Sequence, residues 1–325
     1  QGYSSAASDV YKRQTWQLIG KGKKMIMLAV AFLLGMILCL LFGVPYIDFL
    51  KKKMIGQYVK DCAPEAHAKK QGTPTTGGVF IILAIILASI IVLALAQRLT
   101  TEAFIILLTL LFYTFAGFQD DYIKIKGKGN DGLTARGKLL RQIAIAMLPI
   151  LYLMMSKTGA GDLTVGHYVL HLGWLYPIFA VFVITGASNA YNLTDGLDGL
   201  AASTGIFAFA ACAIICLFTG ASEAAIISAV VAGALAGFLK YNKPKAQVFM
   251  GDTGSLTIGG IIAVFAIIIH KELLIPILCG VFLVENLSVI LQRAYYKAGK
   301  RKGVKQRLFK RTPIHDHFRT SMSLI

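Results

Sequence analysis

Carboxylates suited to metal binding stand at the ends of apolar segments. Five aspartates each lie within a few residues of such an end: Asp120, Asp121, Asp195, Asp198 and Asp252. A single aspartate in this position is usually a solvated turn or boundary residue. Two carboxylates about 4 Å apart, however, repel by roughly 4 kcal/mol at an effective dielectric near 20. A cluster of them therefore predicts a bound cation or carboxyl groups that stay protonated, and oxygen ligands alone favour magnesium or manganese over zinc.

The spacing within two segments predicts which side chains act together. Adjacent helical residues point about 100° apart, so Asp120 and Asp121 would address neighbouring positions, one on a cation and the other facing a substrate. Asn189, Asn192 and Asp195 recur every three residues and would share one face of a helix. Amide and carboxylate side chains are therefore predicted to converge from separate parts of the chain.

Lysines beside the same segments supply the opposite charge. Lys70, Lys124 and Lys138 border the loops that carry the aspartates. A metal ion with several lysines suits a pyrophosphate, whose charge must be held while a phosphoanhydride bond breaks. The alternative for these lysines is the general excess of basic residues on one side of a membrane protein.

The composition predicts a protein that crosses a bilayer many times. Hydrophobic residues make up 56% of the 325 positions and charged residues 15%, and apolar stretches of membrane-crossing length recur throughout. We predict an all-α, polytopic transmembrane helical bundle with nine spans, at residues 25–42, 77–96, 103–118, 139–155, 174–187, 200–218, 224–239, 256–269 and 273–291. Between spans four and five, the β-prone residues 159–173 are predicted to form an extracellular hairpin.

The charge distribution predicts an orientation in the membrane rather than nucleic-acid binding. The net charge is +17, but most of the 33 Lys and Arg follow spans one, three, seven and nine, and the opposite loops hold only Arg98, Lys157 and Lys271. Basic residues mark the cytoplasmic side, so these loops are predicted to lie in the cytoplasm beside anionic membrane lipids. Residues 1–14 are predicted to be a non-native or disordered tail, and residues 15–325 a single integral-membrane domain with cytoplasmic catalytic loops.

Five segments carry a resemblance to a known family. They are Lys70–Gly78, the Asp120–Asp121 pair, Asn189–Gly199, Phe249–Leu256 and Thr312–Phe318. With these motifs the chain resembles the polyprenyl-phosphate N-acetylhexosamine-1-phosphate transferases. The last segment is similar to the one that distinguishes the phospho-N-acetylmuramoyl-pentapeptide branch. The resemblance runs from about the first span to Phe318.

The resemblance implies a reaction, a cofactor and partners. Phospho-N-acetylmuramoyl-pentapeptide would move from UDP-MurNAc-pentapeptide to undecaprenyl phosphate, giving lipid I and UMP in peptidoglycan synthesis, with Mg2+ required. The enzyme would be a homodimer in the bacterial plasma (inner) membrane, with its active site on the cytoplasmic face.

The same resemblance implies roles for individual residues. Asp252 would bind magnesium with Asp120 and Asp121 beside it, and His315 and His317 would contact the phosphate or sugar of the substrate. Asp120, Asp121, Asp252 and His315 would be the catalytic residues. The nucleoside pocket, with the Phe249 ring stacked on uracil, would consist of Asp195, Gly196, Leu197, Asp198 and Phe249. The resemblance adds Lys70, Thr75, Asn192, Asn242 and Gln292 as substrate-binding residues, and Lys124, Lys138 and Asn189 are predicted to join them from their positions beside the aspartates.

Two chemical schemes and two other functions stay open. The lipid phosphate attacks in line while Asp120 accepts any residual proton or orients the nucleophile, or an aspartate attacks first and forms an aspartyl phosphate. A related transferase would use UDP-N-acetylglucosamine, an alternative that Thr312–Phe318 disfavours. A secondary transporter is less favoured still, because transporters place ionisable sites near the bilayer midplane.

Two features depart from the resemblance, and one residue lies outside it. Asp316 stands where relatives have the middle of three histidines, which adds negative charge near a phosphate. The family implies ten spans, whereas nine are predicted. Glu285 is an ionisable residue within the ninth predicted span, so it is expected to face the protein interior and support the bundle or a lipid groove.

Overall fold

Helices form nearly all of the regular structure. The computed structural model describes residues 2–53, 73–127, 132–156, 161–165, 168–301, 303 and 306–322. For residues 2–21 it describes the backbone, and from residue 22 onward it also describes the side chains. The helices are α1 (Gly2–Lys52), α2 (Gly78–Leu95), α3 (Thr101–Lys126), α4 (Ala135–Ser156), α5 (Tyr176–Thr194), α6 (Leu200–Phe218), α7 (Ser222–Asn242), α8 (Gly251–Ile268), α9 (Ile275–Leu278), α10 (Gly280–Arg301) and α11 (Ile314–Met322). Short 3-10 helices, Gly173–Leu175 and Glu272–Leu274, precede α5 and α9.

The length and apolar composition of the helices confirm a multi-pass membrane protein. Within the described residues, eight helices are long and apolar enough to cross a membrane, or up to nine if a bent pair counts as one span. The bent pair is Glu272–Leu278 with Gly280–Arg301, at 85° to each other. The predicted ninth span is therefore broken rather than straight. Gly280 follows the break, and glycine is unfavourable inside a helix.

The first helix is longer than predicted. Its backbone is helical over Gly2–Lys52, and the part suited to crossing a membrane is Gly22–Lys52. The sequence predicted a span at 25–42 only. That residues 1–14 are a non-native or disordered tail stays a prediction.

The most buried helix lies at the centre of the bundle and carries Asp252 in its first turn. The apolar window of α8 is 94% buried, against 22% for that of α1. The outer helices expose large apolar side chains such as Phe104, Phe182, Phe207 and Phe218, as expected for surfaces that contact lipid tails. The position of Asp252 is therefore fixed by the packing of α8 against its neighbours.

Glycines bring α8 into backbone contact with two neighbouring helices. A Cβ atom on Gly117 of α3 would collide with the backbone of Asp252, and one on Gly78 of α2 would collide with Gly254. Small residues of this kind let membrane helices approach closely. The close approach at Gly117 sets Asp120 and Asp121, one turn further along α3, beside the start of α8.

The segment before α2 is bound along its backbone to the segment before α8. Phe249 N donates to Pro74 O at 2.8 Å, Gly77 N to Phe249 O at 2.8 Å, and Gly78 N to Met250 O at 2.8 Å. Two of the motifs that were far apart in the sequence therefore form one layer against the end of the bundle.

A small hairpin joins α4 to α5. Strand β1 (Asp162–Val165) pairs antiparallel with β2 (Tyr168–His171), with Asp162 opposite His171. These strands confirm the predicted hairpin, and its extracellular position stays a prediction.

Candidate functional site

Three carboxylates meet at the N-terminal end of α8. Each of Asp120, Asp121 and Asp252 offers an oxygen atom within 4.8 Å of the other two. All three side chains are buried. The structure thus brings together aspartates that the sequence places in two distant segments.

Asp252 is the point where α3, α4 and α5 meet α8. Its Oδ2 atom accepts hydrogen bonds from Lys124 Nζ at 2.9 Å and Lys138 Nζ at 2.7 Å. Its Oδ1 atom accepts one from Asn192 Nδ2 at 2.7 Å. Two ammonium groups and an amide from three helices therefore balance one buried carboxylate.

Asp120 shares one of these cations with Asp252. The Lys124 ammonium lies 2.5 Å from Asp120 Oδ2 and 2.9 Å from Asp252 Oδ2. The other Asp120 oxygen accepts a hydrogen bond from Leu133 N at 2.7 Å, which attaches the start of the described loop before α4. Lys124 is thus a cation between two carboxylates.

Asp121 has a different role, because both of its oxygens hold the first turn of α8. Oδ1 accepts from Asp252 N at 3.0 Å, and Oδ2 accepts from Thr253 N at 2.9 Å and Thr253 Oγ1 at 2.6 Å. Backbone N–H groups at a helix N-terminus lack partners within the helix, and the helix dipole favours an anion there. Asp121 therefore caps α8 from a neighbouring helix, a role that the sequence did not predict.

The donor set of the cluster suits a divalent cation of the magnesium type. All of its candidate ligands are carboxylate oxygens, which magnesium and calcium prefer. The three carboxylates exceed the two contacting ammonium groups by one negative charge. The buried cluster can thus hold a metal ion, with Asp120 and Asp252 carrying the lysines that a cation would replace.

Ser255 belongs to the site, although the sequence reasoning gave it no role. Asn192 Nδ2 lies 2.7 Å from Ser255 Oγ as well as 2.7 Å from Asp252 Oδ1. Ser255 Oγ in turn donates to Gly251 O at 2.9 Å. The sequence feature that could have identified Ser255 is its position one helical turn after Gly251 and Asp252 in the same motif.

Asn189 lies on the same helix as Asn192 but contacts a different neighbour. Its Nδ2 donates to Gln142 Oε1 at 2.8 Å and to Thr185 O at 2.8 Å. The predicted helical face is present for the two asparagines, which both lie in α5, but α5 ends at Thr194 and Asp195 follows it in a non-helical conformation. In this structure Asn189 joins α5 to α4, and a direct contact with substrate stays a prediction.

The loop after α5 is held by the loop after α7. Asp198 Oδ2 accepts from Ala246 N at 3.2 Å. The buried Asn242 accepts from Gly199 N at 3.0 Å and donates to Val248 O at 3.0 Å. Asn242 therefore connects the two loops, and its contact with substrate stays a prediction, as does that of Asp195 and Leu197.

Thr75 and Phe249 lie beside the capped end of α8. The Thr75 Oγ1 atom is 3.2 Å from the position a Cβ atom would take on Gly251, a residue with a positive φ of 72°. Phe249 is half-buried. Thr75 is therefore close to the Asp121 cap, whereas the stacking of Phe249 on uracil stays a prediction.

The C-terminal segment reaches the loop after α5 through His315. A Cβ atom on Gly196 would lie 2.5 Å from His315 Nε2, so the ring edge fills the space that glycine leaves. His317 Nδ1 accepts from Lys310 N at 3.1 Å. The structure thus places His315 against the predicted nucleoside pocket, while His317 contacts the backbone of its own segment.

Gln292 holds the same segment from α10. Its Oε1 atom accepts from Leu308 N at 3.1 Å and Phe309 N at 2.9 Å. Its predicted contact with substrate stays a prediction. The remaining predicted site residue, Lys70, lies outside the described residues.

Comparisons with known proteins agree on one kind of enzyme. A family model described as glycosyl transferase family 4 matches residues 103–270. The chain is 43% identical to a phospho-N-acetylmuramoyl-pentapeptide-transferase of Bacteroides thetaiotaomicron, over 91% of this chain and 83% of the relative. It is 41% identical to the enzyme of that name from Halalkalibacterium halodurans, over 90% of this chain and 89% of the relative. The Bacillus pumilus enzyme of that name is 42% identical, over 88% and 87%.

Proposed function

Since the chain belongs to the phospho-N-acetylmuramoyl-pentapeptide-transferase family, we propose that it transfers phospho-N-acetylmuramoyl-pentapeptide from UDP-MurNAc-pentapeptide to undecaprenyl phosphate, giving lipid I and UMP. The observation that carries this proposal is the Asp252 carboxylate, bonded to Lys124 and Lys138 and clustered with two further aspartates. Such a site combines the groups that a diphosphate and its counter-ion require.

The proposal includes a divalent cation. Asp252 and Asp120 would hold Mg2+, with Asp121 fixing the turn from which Asp252 projects. A bound Mg2+ would neutralise charge on the diphosphate as the anhydride bond breaks. Lys124 and Lys138 lie on the same carboxylate oxygen, so we infer that they turn to the diphosphate oxygens when the cation takes their place.

The chemical step needs little proton transfer. The acceptor is a phosphate monoester with a second pKa near 6, so it is mostly dianionic at neutral pH. Its oxygen attacks the phosphorus attached to the sugar, and UMP leaves from the opposite side. Asp120 is the better acceptor for a residual proton, because its Oδ2 atom contacts the Lys124 side chain, which a bound cation would displace, whereas both oxygens of Asp121 hold the backbone of α8. In the competing aspartyl-phosphate scheme, Asp120 would be the nucleophile for the same reason.

The location of the reaction is also part of the proposal. We place the aspartate cluster on the cytoplasmic face of the bacterial plasma membrane, and we expect a homodimer. Support comes from the basic residues at the same ends of the helices, including Lys51 and Lys52 of α1 and Lys300 and Arg301 of α10. Basic loops favour the cytoplasmic side.

The test is UMP release by the purified protein in detergent. Reactions contain Mg2+, undecaprenyl phosphate and either UDP-MurNAc-pentapeptide or UDP-N-acetylglucosamine. We expect release with the first donor alone, and its loss in Asp252→Asn while the variant stays folded. The matched control is Asp48→Asn, which changes an exposed aspartate on α1 and should retain full activity. Release with UDP-N-acetylglucosamine alone would assign the chain to a different donor, and full activity in Asp252→Asn would exclude Asp252 from the reaction.

A further inference from the structure

A buried glutamate lies directly behind His315, the histidine that contacts the loop after α5. This loop, residues 195–199, is called the nucleotide loop, because the proposed function places the nucleotide there. Glu285 of α10 is 4% exposed and His315 of α11 is 8% exposed. Glu285 Oε2 lies 3.0 Å from His315 Nδ1 and 3.3 Å from His315 N. One carboxylate oxygen therefore holds both the backbone and the ring of the same residue.

This arrangement determines which ring nitrogen is available. An ionised carboxylate can only accept hydrogen bonds, so the Nδ1 atom of His315 must carry the proton. The hydrogen bond at one nitrogen sets the state and direction of the other. The Nε2 atom of a neutral ring then presents its lone pair on the opposite edge.

The opposite edge faces the loop after α5. His315 Nε2 occupies the space beside Gly196, which stands between Asp195 and Leu197 in the motif that turns from α5 to α6. Asp316 Oδ1 lies 3.9 Å from the same nitrogen. Glu285 therefore holds the Nδ1 side of the ring, and the Nε2 side points toward the nucleotide loop.

We propose that Glu285 is a positioning residue for His315, which fixes the tautomer and direction of the ring so that Nε2 meets a polar group of the nucleotide sugar at the Gly196 loop. This inference rests on the proposed function and deepens it. Glu285 does not touch the loop itself and acts through the histidine. Its position inside an apolar helix serves the site rather than a lipid groove.

The C-terminal segment and the His315 ring are attached to α10 by different residues. Gln292 stands two helical turns after Glu285 on α10, and it binds Leu308 N and Phe309 N. The backbone of the C-terminal segment is therefore attached to α10 independently of the glutamate. Loss of the Glu285 carboxylate should release the ring while the segment stays attached.

The kinetic test compares Glu285→Gln, Glu285→Asp, His315→Ala and the double variant Glu285→Gln/His315→Ala. We expect Glu285→Gln to lower kcat/KM about 10-fold or more, the size of effect seen when the carboxylate behind a metal-binding histidine is lost. The Asp variant should recover part of it. In the His315→Ala background the glutamate change should add almost nothing, because groups that act as a unit are not additive. The matched control is Glu223→Gln, a buried glutamate at the start of α7 paired with Arg98, which should leave kcat and KM unchanged.

A spectroscopic readout decides the inference without any turnover. The chain has six histidines, and 15N labelling with a His315→Asn variant assigns the His315 signals. We expect the His315 ring of the wild type to carry a proton on Nδ1, and a shift toward the form protonated on Nε2 alone in Glu285→Gln. A wild-type ring protonated on Nε2 alone would overturn the proposal, as would additive kinetic losses in the double variant. Absence of UMP release from the wild type would instead count against the proposed function, and the NMR result would still stand.

Discussion

Asp121 receives two hydrogen bonds from Thr253, one from the backbone N–H at 2.9 Å and one from the hydroxyl at 2.6 Å. The residues are 132 positions apart, so this contact joins the end of α3 to the start of α8. It lies one turn from Gly117, where the two helices already touch along their backbones. The carboxylate thus fixes the direction of the turn that presents Asp252.

Removing the Thr253 hydroxyl should weaken this junction. Thr253→Val keeps the shape of the side chain but leaves a buried carboxylate oxygen short of one donor, at a cost of about 1–3 kcal/mol. We expect a lower melting temperature in detergent and weaker binding of Mn2+ as a probe for the metal site, with recovery in Thr253→Ser. The control is Thr109→Val, whose hydroxyl donates to Ile105 O in its own helix. Equal losses in both valine variants would contradict a special role for the cap.

Lys124 should compete with a divalent cation for the two carboxylates that it bridges. Unit charges about 4 Å apart interact by about 4 kcal/mol at an effective dielectric near 20. Even partial relief of that repulsion in Lys124→Met should raise Mn2+ affinity without nucleotide by about 10-fold or more, while kcat falls because a cation for the diphosphate is lost. Electron paramagnetic resonance of free Mn2+ measures the affinity. Lys52→Met, at an exposed lysine of α1, is the control, and a lower Mn2+ affinity in Lys124→Met would refute the competition.

The contact at Gly117 predicts a large effect from one methyl group. Gly117→Ala would drive a Cβ atom into the backbone of Asp252, so α3 and α8 must separate and the aspartates must move apart. We expect loss of UMP release and a lower melting temperature. Gly186→Ala is the matched control, because a Cβ atom there meets nothing within 4 Å. It should be neutral or stabilise α5 by up to about 1 kcal/mol, as alanine does in a helix.

The sequence predicts the bundle well because membrane-crossing helices must be long and apolar. It does not predict the 85° break near Cys279, since apolar content reports the length of a segment and not its direction. Proline and glycine near the break, Pro276 and Gly280, are common enough in membrane helices to leave the direction undecided.

The sequence predicts which residues belong to the site only where the residue type has few possible roles. A single carboxylate at the end of an apolar segment is usually a boundary residue, but several of them in one chain predict a cluster, so Asp120, Asp121 and Asp252 stand out from the sequence. The residues that Asp121 and Glu285 contact cannot be predicted in this way. They lie in distant segments of the chain, and the packing of whole helices determines which of them meet. Asn242 was predicted to bind substrate from its residue type and position. In the structure its side-chain amide bonds to the backbone of Gly199 and Val248, and residue type alone does not reveal this structural use.

Asp316 places a negative charge near the nucleotide loop, and Arg319 compensates it. Arg319 NH2 lies 2.8 Å from Asp316 Oδ1, one turn along α11. Arg319→Ala removes this ion pair and should raise KM for the nucleotide sugar about 3-fold or more, whereas Asp316→Asn/Arg319→Ala should return KM toward the wild-type value. Steady-state kinetics with varied donor concentration measure both. A double variant as impaired as Arg319→Ala would show that the arginine acts by another route.

The far end of α8 carries a buried pair whose effect should be on stability alone. Tyr176 OH donates to Glu272 Oε1 at 2.5 Å, and Glu272 is 2% exposed. Glu272 follows the last turn of α8, and the helix from Asp252 to Ile268 spans about 24 Å at a rise of about 1.5 Å per residue. Tyr176→Phe leaves the buried carboxyl without its donor, which costs about 1–3 kcal/mol, so the melting temperature in detergent should fall while KM for both substrates stays unchanged. Tyr168→Phe, at an exposed tyrosine of β2, is the control and should melt like the wild type. A changed KM in Tyr176→Phe would mean that the two ends of α8 are coupled.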